Sequence, residues 1–144
     1  MSPPAKIRVL FVCIGNSCRS QMAEAFARVY GEDVLVPASA GLAPAPGVAQ
    51  DTVRTMDEKN IDLRNQSPKS FYAADLAEFD LIVNMSGFEL PHGVTQPARD
   101  WDVRDPIGED YDTHRQVRDQ IEGLVMGLIL ELRRAARPRP PAPL

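Results

Sequence analysis

The sequence predicts an α/β fold: a three-layer sandwich with a four-stranded parallel sheet, helices on both faces and its functional loop directly after the first strand. Two observations carry this expectation. Short runs of β-branched and aromatic residues alternate along the chain with segments of helical period, the pattern of parallel strands joined by right-handed crossovers. A Gly/Asn/Ser-rich cluster also interrupts the chain between the first strand and the first helix, at the strand's carboxyl end, where such folds keep their sites.

Ile7 to Val12 (Ile-Arg-Val-Leu-Phe-Val) reads as a buried strand. From Ser20 to Tyr30, residues Met22, Ala23, Phe26, Ala27 and Tyr30 recur at three- and four-residue spacing, which predicts a helix stopped by Gly31. Val34 to Ala38 predicts the second strand, and Ala43-Pro44-Ala45-Pro46 a loop. Gly47 to Asn60 predicts the second helix, with Val48, Thr52, Val53 and Met56 on one side. Phe71 to Phe79 reads as a short helix, Asp80 to Met85 as the third strand, and Ala98 to Trp101 as the fourth. The last helix is expected from about Asp112 to Arg134, with Val117, Ile121, Leu124, Val125, Leu128 and Leu132 facing the sheet. One domain is expected over residues 1–135. The tail 136–144, with four prolines and two arginines, is expected to be disordered.

A chain of 144 residues, 44% apolar and 25% charged, suits one core. Its net charge of -4 argues against extended binding to nucleic acid or an anionic membrane. No apolar run approaches the roughly 20 residues of a membrane span or the core of a signal peptide, so a cytoplasmic protein is expected. The two cysteines, Cys13 and Cys18, are too few for a disulfide framework, and a reducing compartment leaves them as thiols.

The chemistry concentrates in Cys13-Ile14-Gly15-Asn16-Ser17-Cys18-Arg19-Ser20. A loop of this length between strand and helix can wrap a tetrahedral oxyanion, with successive N–H groups turned inward and the helix N-terminus adding positive potential. Gly15 and Asn16 suit the left-handed backbone such a turn needs. Arg19 would offer two parallel donors to the anion. The same positive surroundings favour the Cys13 thiolate, a nucleophile. Ser20, expected at the helix N-cap, would hydrogen-bond the Cys13 sulfur. Cys18 reads as a packing residue, a resolving thiol or an incidental neighbour. Trp101 would line the approach or belong to the core, and His92 and His114 have no partner pattern of a metal site.

Val12 to Ser20 followed by Ala23-Glu24-Ala25 resembles the phosphate-binding loop of low-molecular-weight protein tyrosine phosphatases and their arsenate reductase relatives. Ser39-Ala40-Gly41, Asn65-Gln66-Ser67 and Asp105-Pro106 fall where that family has similar elements. The resemblance implies Cys13 as nucleophile, Arg19 as oxyanion clamp and Asp105 as general acid, with Ile14, Gly15, Asn16, Ser17, Cys18 and Ser20 forming the binding loop. No metal or cofactor is expected. A positioned acid of this kind contributes about 10²- to 10⁴-fold.

Two reactions fit one loop. The first is hydrolysis of a phosphomonoester, an aryl phosphate or phosphotyrosine, through a phosphocysteine intermediate. The second is arsenate reduction, in which Cys13 attacks arsenate and a thiol releases arsenite. Ile107-Gly108 stands where the phosphatases commonly carry tyrosines, and Leu42 to Val48 has no aromatic residue. Ser86 to Pro97 has no cysteine for an internal relay, so reduction would need Cys18 or an external thiol such as glutathione, mycothiol or a thioredoxin-type protein. An idle oxyanion-binding module, the third reading, leaves the thiol without a purpose.

Overall fold

The computed structural model describes residues 5–136. Four strands, β1 (Ile7–Cys13), β2 (Leu35–Gly41), β3 (Leu81–Asn84) and β4 (Ala98–Asp100), form one parallel sheet in the order β2-β1-β3-β4. Three α-helices, α1 (Arg19–Tyr30), α2 (Gln50–Asp57) and α3 (Tyr111–Ala136), complete the α/β sandwich.

Alternation along the strands divides the core. Val9, Phe11 and Cys13 of β1 and Leu81 and Val83 of β3 face α1, α2 and α3, joining Met22, Phe26, Met56, Ile121, Val125 and Ile129 in the larger cluster. Leu10, Val12, Ala40 and Ile82 face the other way, where Phe71, Leu76 and Phe79 cover them. Burial of each large apolar side chain is worth about 1.5–3 kcal/mol. Helical segments therefore lie on both faces, but the second layer is built from single 3-10 turns.

Those turns differ from the expected short helix over 71–79. Two separate pieces, Phe71–Ala73 and Leu76–Glu78, form instead, because the side chains of Ser70 and Asp75 accept the N–H groups of Tyr72 and Ala77 and each caps one turn. The second helix is also shorter than the expected 47–60. Ala49 stays extended while its N–H donates to the Ser17 carbonyl at 3.0 Å, and Asn60 has a left-handed φ of 59°. The tail expected to be disordered lies outside the described residues beyond Ala136, which ends α3. Among the described residues no helix is long and apolar enough to cross a membrane.

The register aligns the strands' carboxyl ends. Cys13 pairs with Gly41, Val12 with Asn84, and Asn84 with Asp100, so the loops leaving β1, β2, β3 and β4 meet along one edge. Glu58, just after α2, is clasped by α3: Arg115 Nη2 donates to it at 2.6 Å and Arg118 Nη1 at 2.6 Å. The Arg115 guanidinium beside it, with Arg118, lowers its carboxyl from 4.5 to about 2. A carboxylate held down in the folded state stabilises the fold above its unfolded value, and that contribution disappears as pH falls through the folded value. The melting temperature of the wild type should therefore drop more steeply between pH 4.5 and pH 2 than that of Glu58→Gln, as followed by circular dichroism.

Candidate active site

The loop Cys13 to Arg19 is shaped by where its carbonyl groups point. Those of Cys13, Ile14, Gly15 and Ser17 accept N–H groups from Leu42, Ala43, Ala45 and Ala49 at 3.1, 2.8, 2.9 and 3.0 Å. The Asn16 carbonyl accepts Gln21 Nε2 at 3.0 Å, and the Cys18 carbonyl accepts the Met22 N–H at 2.9 Å. Every carbonyl from Cys13 to Cys18 is thus turned outward and occupied. Among the described residues no N–H from Ile14 to Cys18 has a protein acceptor, which leaves these donors for an oxyanion at the N-terminus of α1.

Asn16 makes the turn possible. Its φ of 49° is left-handed, whereas Gly15, expected to share that role, has no positive φ. The Asn16 side chain points away from the recess: Nδ2 donates to Ser20 Oγ at 2.7 Å, and Oδ1 accepts the Lys69 N–H at 2.8 Å and Gln21 Nε2 at 3.1 Å. Gln66 Nε2 in turn donates to Gln21 Oε1, and Arg28 donates to Gln66 and Glu24, so the turn is tied through buried Gln21 to the segment 66–69. Ser20 is not the N-cap expected of it. Cys18 occupies that position without a side-chain cap, and Ser20 sits one residue inside α1 because the helix begins at Arg19. From there its hydroxyl still meets Cys13 Sγ at 2.8 Å.

Cys13, 2% exposed at the end of β1, opens into a recess of about 220 Å³ that also brings together Ile14, Gly15, Ser17, Cys18, Arg19 and Asp105. Asn16 and Ser20 lie behind it. Ala45 and Ile107 complete the rim. Arg19 is buried and anchored, with Nη1 donating to the carbonyls of Met85 at 2.5 Å and Val103 at 3.1 Å. Its Nη2 lies 3.6 Å from Asp105 Oδ2, and Asp105, with its side chain 46% exposed, accepts the Ile107 N–H at 3.1 Å. This geometry can clamp an anion between fixed donors and present a carboxyl to its departing oxygen. Burial pushes the Cys18 thiol up to about 12, so Cys18 stays protonated at neutral pH beside the recess.

Other residues fall elsewhere. Trp101 packs on Phe11, ring centroids 5.8 Å apart, and lines a neighbouring hollow, outside the Cys13 recess. His92 is exposed, and buried His114 contacts the Asp110 carbonyl through Nδ1 at 2.9 Å. Among the described residues no three His, Cys, Asp or Glu side chains are gathered as for a metal. The Met85 and Val103 carbonyls that seat Arg19 escaped sequence reasoning, since a backbone acceptor leaves no residue-type signal. Gly41, the last residue of β2, had a signal in its place in Ser39-Ala40-Gly41. A Cβ there would lie 2.6 Å from the Ile14 carbonyl oxygen and 2.8 Å from the Asn16 nitrogen, both backbone atoms with no rotamer to yield. Gly41→Ala should therefore displace the loop, weakening phosphate binding by at least about tenfold in calorimetric titration and destabilising the fold by about 1–3 kcal/mol in chemical denaturation.

Comparison with known proteins identifies the family. The family model described as low molecular weight phosphotyrosine protein phosphatase matches residues 8–137. A protein named glutaredoxin arsenate reductase, from Synechocystis, is 33% identical over 129 residues, covering 87% of this chain and 98% of that one. A solved arsenate reductase in its phosphate-binding state superposes with a TM-score of 0.81 at 32% identity, over 88% of this chain and 98% of its own. The YwlE arginine phosphatase from Geobacillus stearothermophilus superposes at 0.75 with 25% identity, over 90% of this chain and 94% of its own. With its outward-turned loop carbonyls, Cys13 and Arg19 in one recess and a family match from Arg8 onward, this chain belongs to the low molecular weight phosphotyrosine protein phosphatase family of enzymes.

Proposed function

We propose that this enzyme is a thiol-coupled arsenate reductase in which Cys13 is the nucleophile, Arg19 the oxyanion clamp and Asp105 the general acid. The observation that carries this reading is the recess itself. At about 220 Å³, with Ala45 and Ile107 on its rim and no aromatic side chain in its lining, it suits a small tetrahedral oxyanion better than an aryl phosphate that needs a ring to stack on. The similarity to proteins named arsenate reductase supports the same choice.

In the first step the Cys13 thiolate attacks arsenic. A sulfur–arsenic bond forms, an arsenic–oxygen bond breaks, and the oxygen leaves as water with the proton of Asp105. The inward N–H groups and Arg19 hold the remaining oxygens, and the Ser20 hydroxyl, 2.8 Å from Sγ, stabilises sulfur as an anion. A thiolate from a donor then attacks Cys13 Sγ. The sulfur–arsenic electron pair passes to arsenic, which leaves as arsenite, and Cys13 is left in a mixed disulfide. A second donor thiol frees Cys13, so that two thiols become one disulfide for each arsenate reduced.

The donor is external. Cys18, the chain's other cysteine, is held as a thiol by burial, with a pKa of about 12, and a neutral thiol is a poor attacking group. Hydrolysis of phosphomonoesters is the second reading, supported by Asp105 standing 3.6 Å from Arg19, where it would protonate a leaving alcohol as readily as hydroxide.

Steady-state assays of arsenate reduction with dithiothreitol, and of p-nitrophenyl phosphate hydrolysis under the same reducing conditions, decide between them. Arsenate turnover should dominate, vanish in Cys13→Ser, fall about 10²- to 10⁴-fold in Asp105→Asn and persist in Cys18→Ser. Loss of turnover in a folded Cys18→Ser would make that residue the resolving thiol. Robust hydrolysis without arsenate reduction would establish the phosphatase instead.

A further inference from the structure

The shorter of the two bonds that seat Arg19 goes to the Met85 carbonyl, at 2.5 Å against 3.1 Å for Val103. That carbonyl lies just beyond the sheet. The peptide before it, Asn84–Met85, is still held on both sides: its N–H donates to the Val12 carbonyl at 2.7 Å and its C=O accepts the Trp101 N–H at 2.9 Å. The next peptide, Met85–Ser86, has left the ladder, and among the described residues it makes two hydrogen bonds. Its C=O accepts Arg19 Nη1, and its N–H donates to Asn84 Oδ1 at 3.0 Å.

These two bonds lie at opposite ends of one plane. In a trans peptide the C=O and N–H point in opposite directions, so a rotation of the plane breaks both. A bond to the N–H also polarises the peptide and strengthens its C=O as an acceptor. Asn84 is 4% exposed, and each of its side-chain polar atoms is occupied. Oδ1 also accepts Ser86 Oγ at 2.6 Å, and Nδ2 donates to the Phe88 carbonyl at 2.7 Å, where Gly87, with a φ of 80°, turns the chain back. Leucine would fill the same space with neither group, and aspartate would lose the donor.

We infer that Asn84 is a positioning residue of the oxyanion site, holding the Met85–Ser86 peptide so that its carbonyl fixes Arg19 for a bound anion. The inference rests on Arg19 as the oxyanion clamp. Asn84 does not line the Cys13 recess, and its influence passes through one peptide to a guanidinium. Without its acceptor the peptide is free to turn. Arg19 then exchanges one defined fork for several orientations, which costs affinity for a tetrahedral anion.

The test measures the phosphate dissociation constant, from protection of Cys13 against iodoacetamide, in wild type, Asn84→Leu, Arg19→Lys and the double variant. Asn84→Leu and Arg19→Lys should each raise it at least about tenfold, and the double variant should match Arg19→Lys within about twofold, because the two changes remove one device. Ile82→Val, which loosens β3 on the opposite face without touching the turn, should lower the melting temperature and leave the constant unchanged. In the wild type the Ser86 amide should be protected from hydrogen exchange. Wild-type affinity in a folded Asn84→Leu, additive losses in the double variant or an equal loss in Ile82→Val would each overturn the positioning role. Rapid exchange of the Ser86 amide would do so without any substitution that has to fold. Undiminished affinity in Arg19→Lys would overturn the clamp itself, so the two failures are distinguishable.

Discussion

The site depends on the disposal of the carbonyl groups in one short loop. A chain that wraps an anion must direct its N–H groups inward, which sends its C=O groups outward toward protein, where they need partners. Here the segment 42–49 supplies four backbone donors, Gln21 supplies a fifth and the first turn of α1 a sixth. The absence of a side chain at Gly41 lets the two backbones lie close enough for this pairing. Amide donors fixed in this way need no reorganisation when charge develops on a bound oxyanion.

The same economy governs the charged groups. The two carbonyls that hold Arg19 neutralise none of its charge, so the guanidinium remains available to an anion while its orientation is fixed. Asp105 touches it from the exposed side, close enough to share a ligand. Two thiols five residues apart meet opposite environments: Cys13 faces a serine hydroxyl at the end of a strand, and Cys18 lies in a dry position beside Thr52. Burial keeps the second thiol protonated, and reducing equivalents for the proposed reaction have to arrive from outside the chain.

Strand and helix periodicity made the sheet, its order of elements and α3 legible in the sequence, because the apolar positions that specify those elements are the ones the core buries. Cys13, Arg19 and Asp105 were legible as candidates from the loop spacing and the family resemblance, and they line one recess. The misplaced details have a common cause. The start of α2 and the split of 71–79 are decided by hydrogen bonds with partners that periodicity does not register: the Ser17 carbonyl for Ala49, the Ser70 and Asp75 side chains for the 3-10 turns. The braces of Arg19 were invisible for the same reason, being main-chain atoms of Met85 and Val103.

The anchoring of Arg19 also sets when the finished loop can exist during synthesis. Its carbonyl partners lie 66 and 84 residues further along the chain. At about 5–20 residues per second, the ribosome takes roughly 4–17 s to reach Val103 after adding Arg19. Through that interval the emerging chain carries the cysteine without the seat for its arginine, so the Cys13 recess is completed only when most of the sheet is available to hold it.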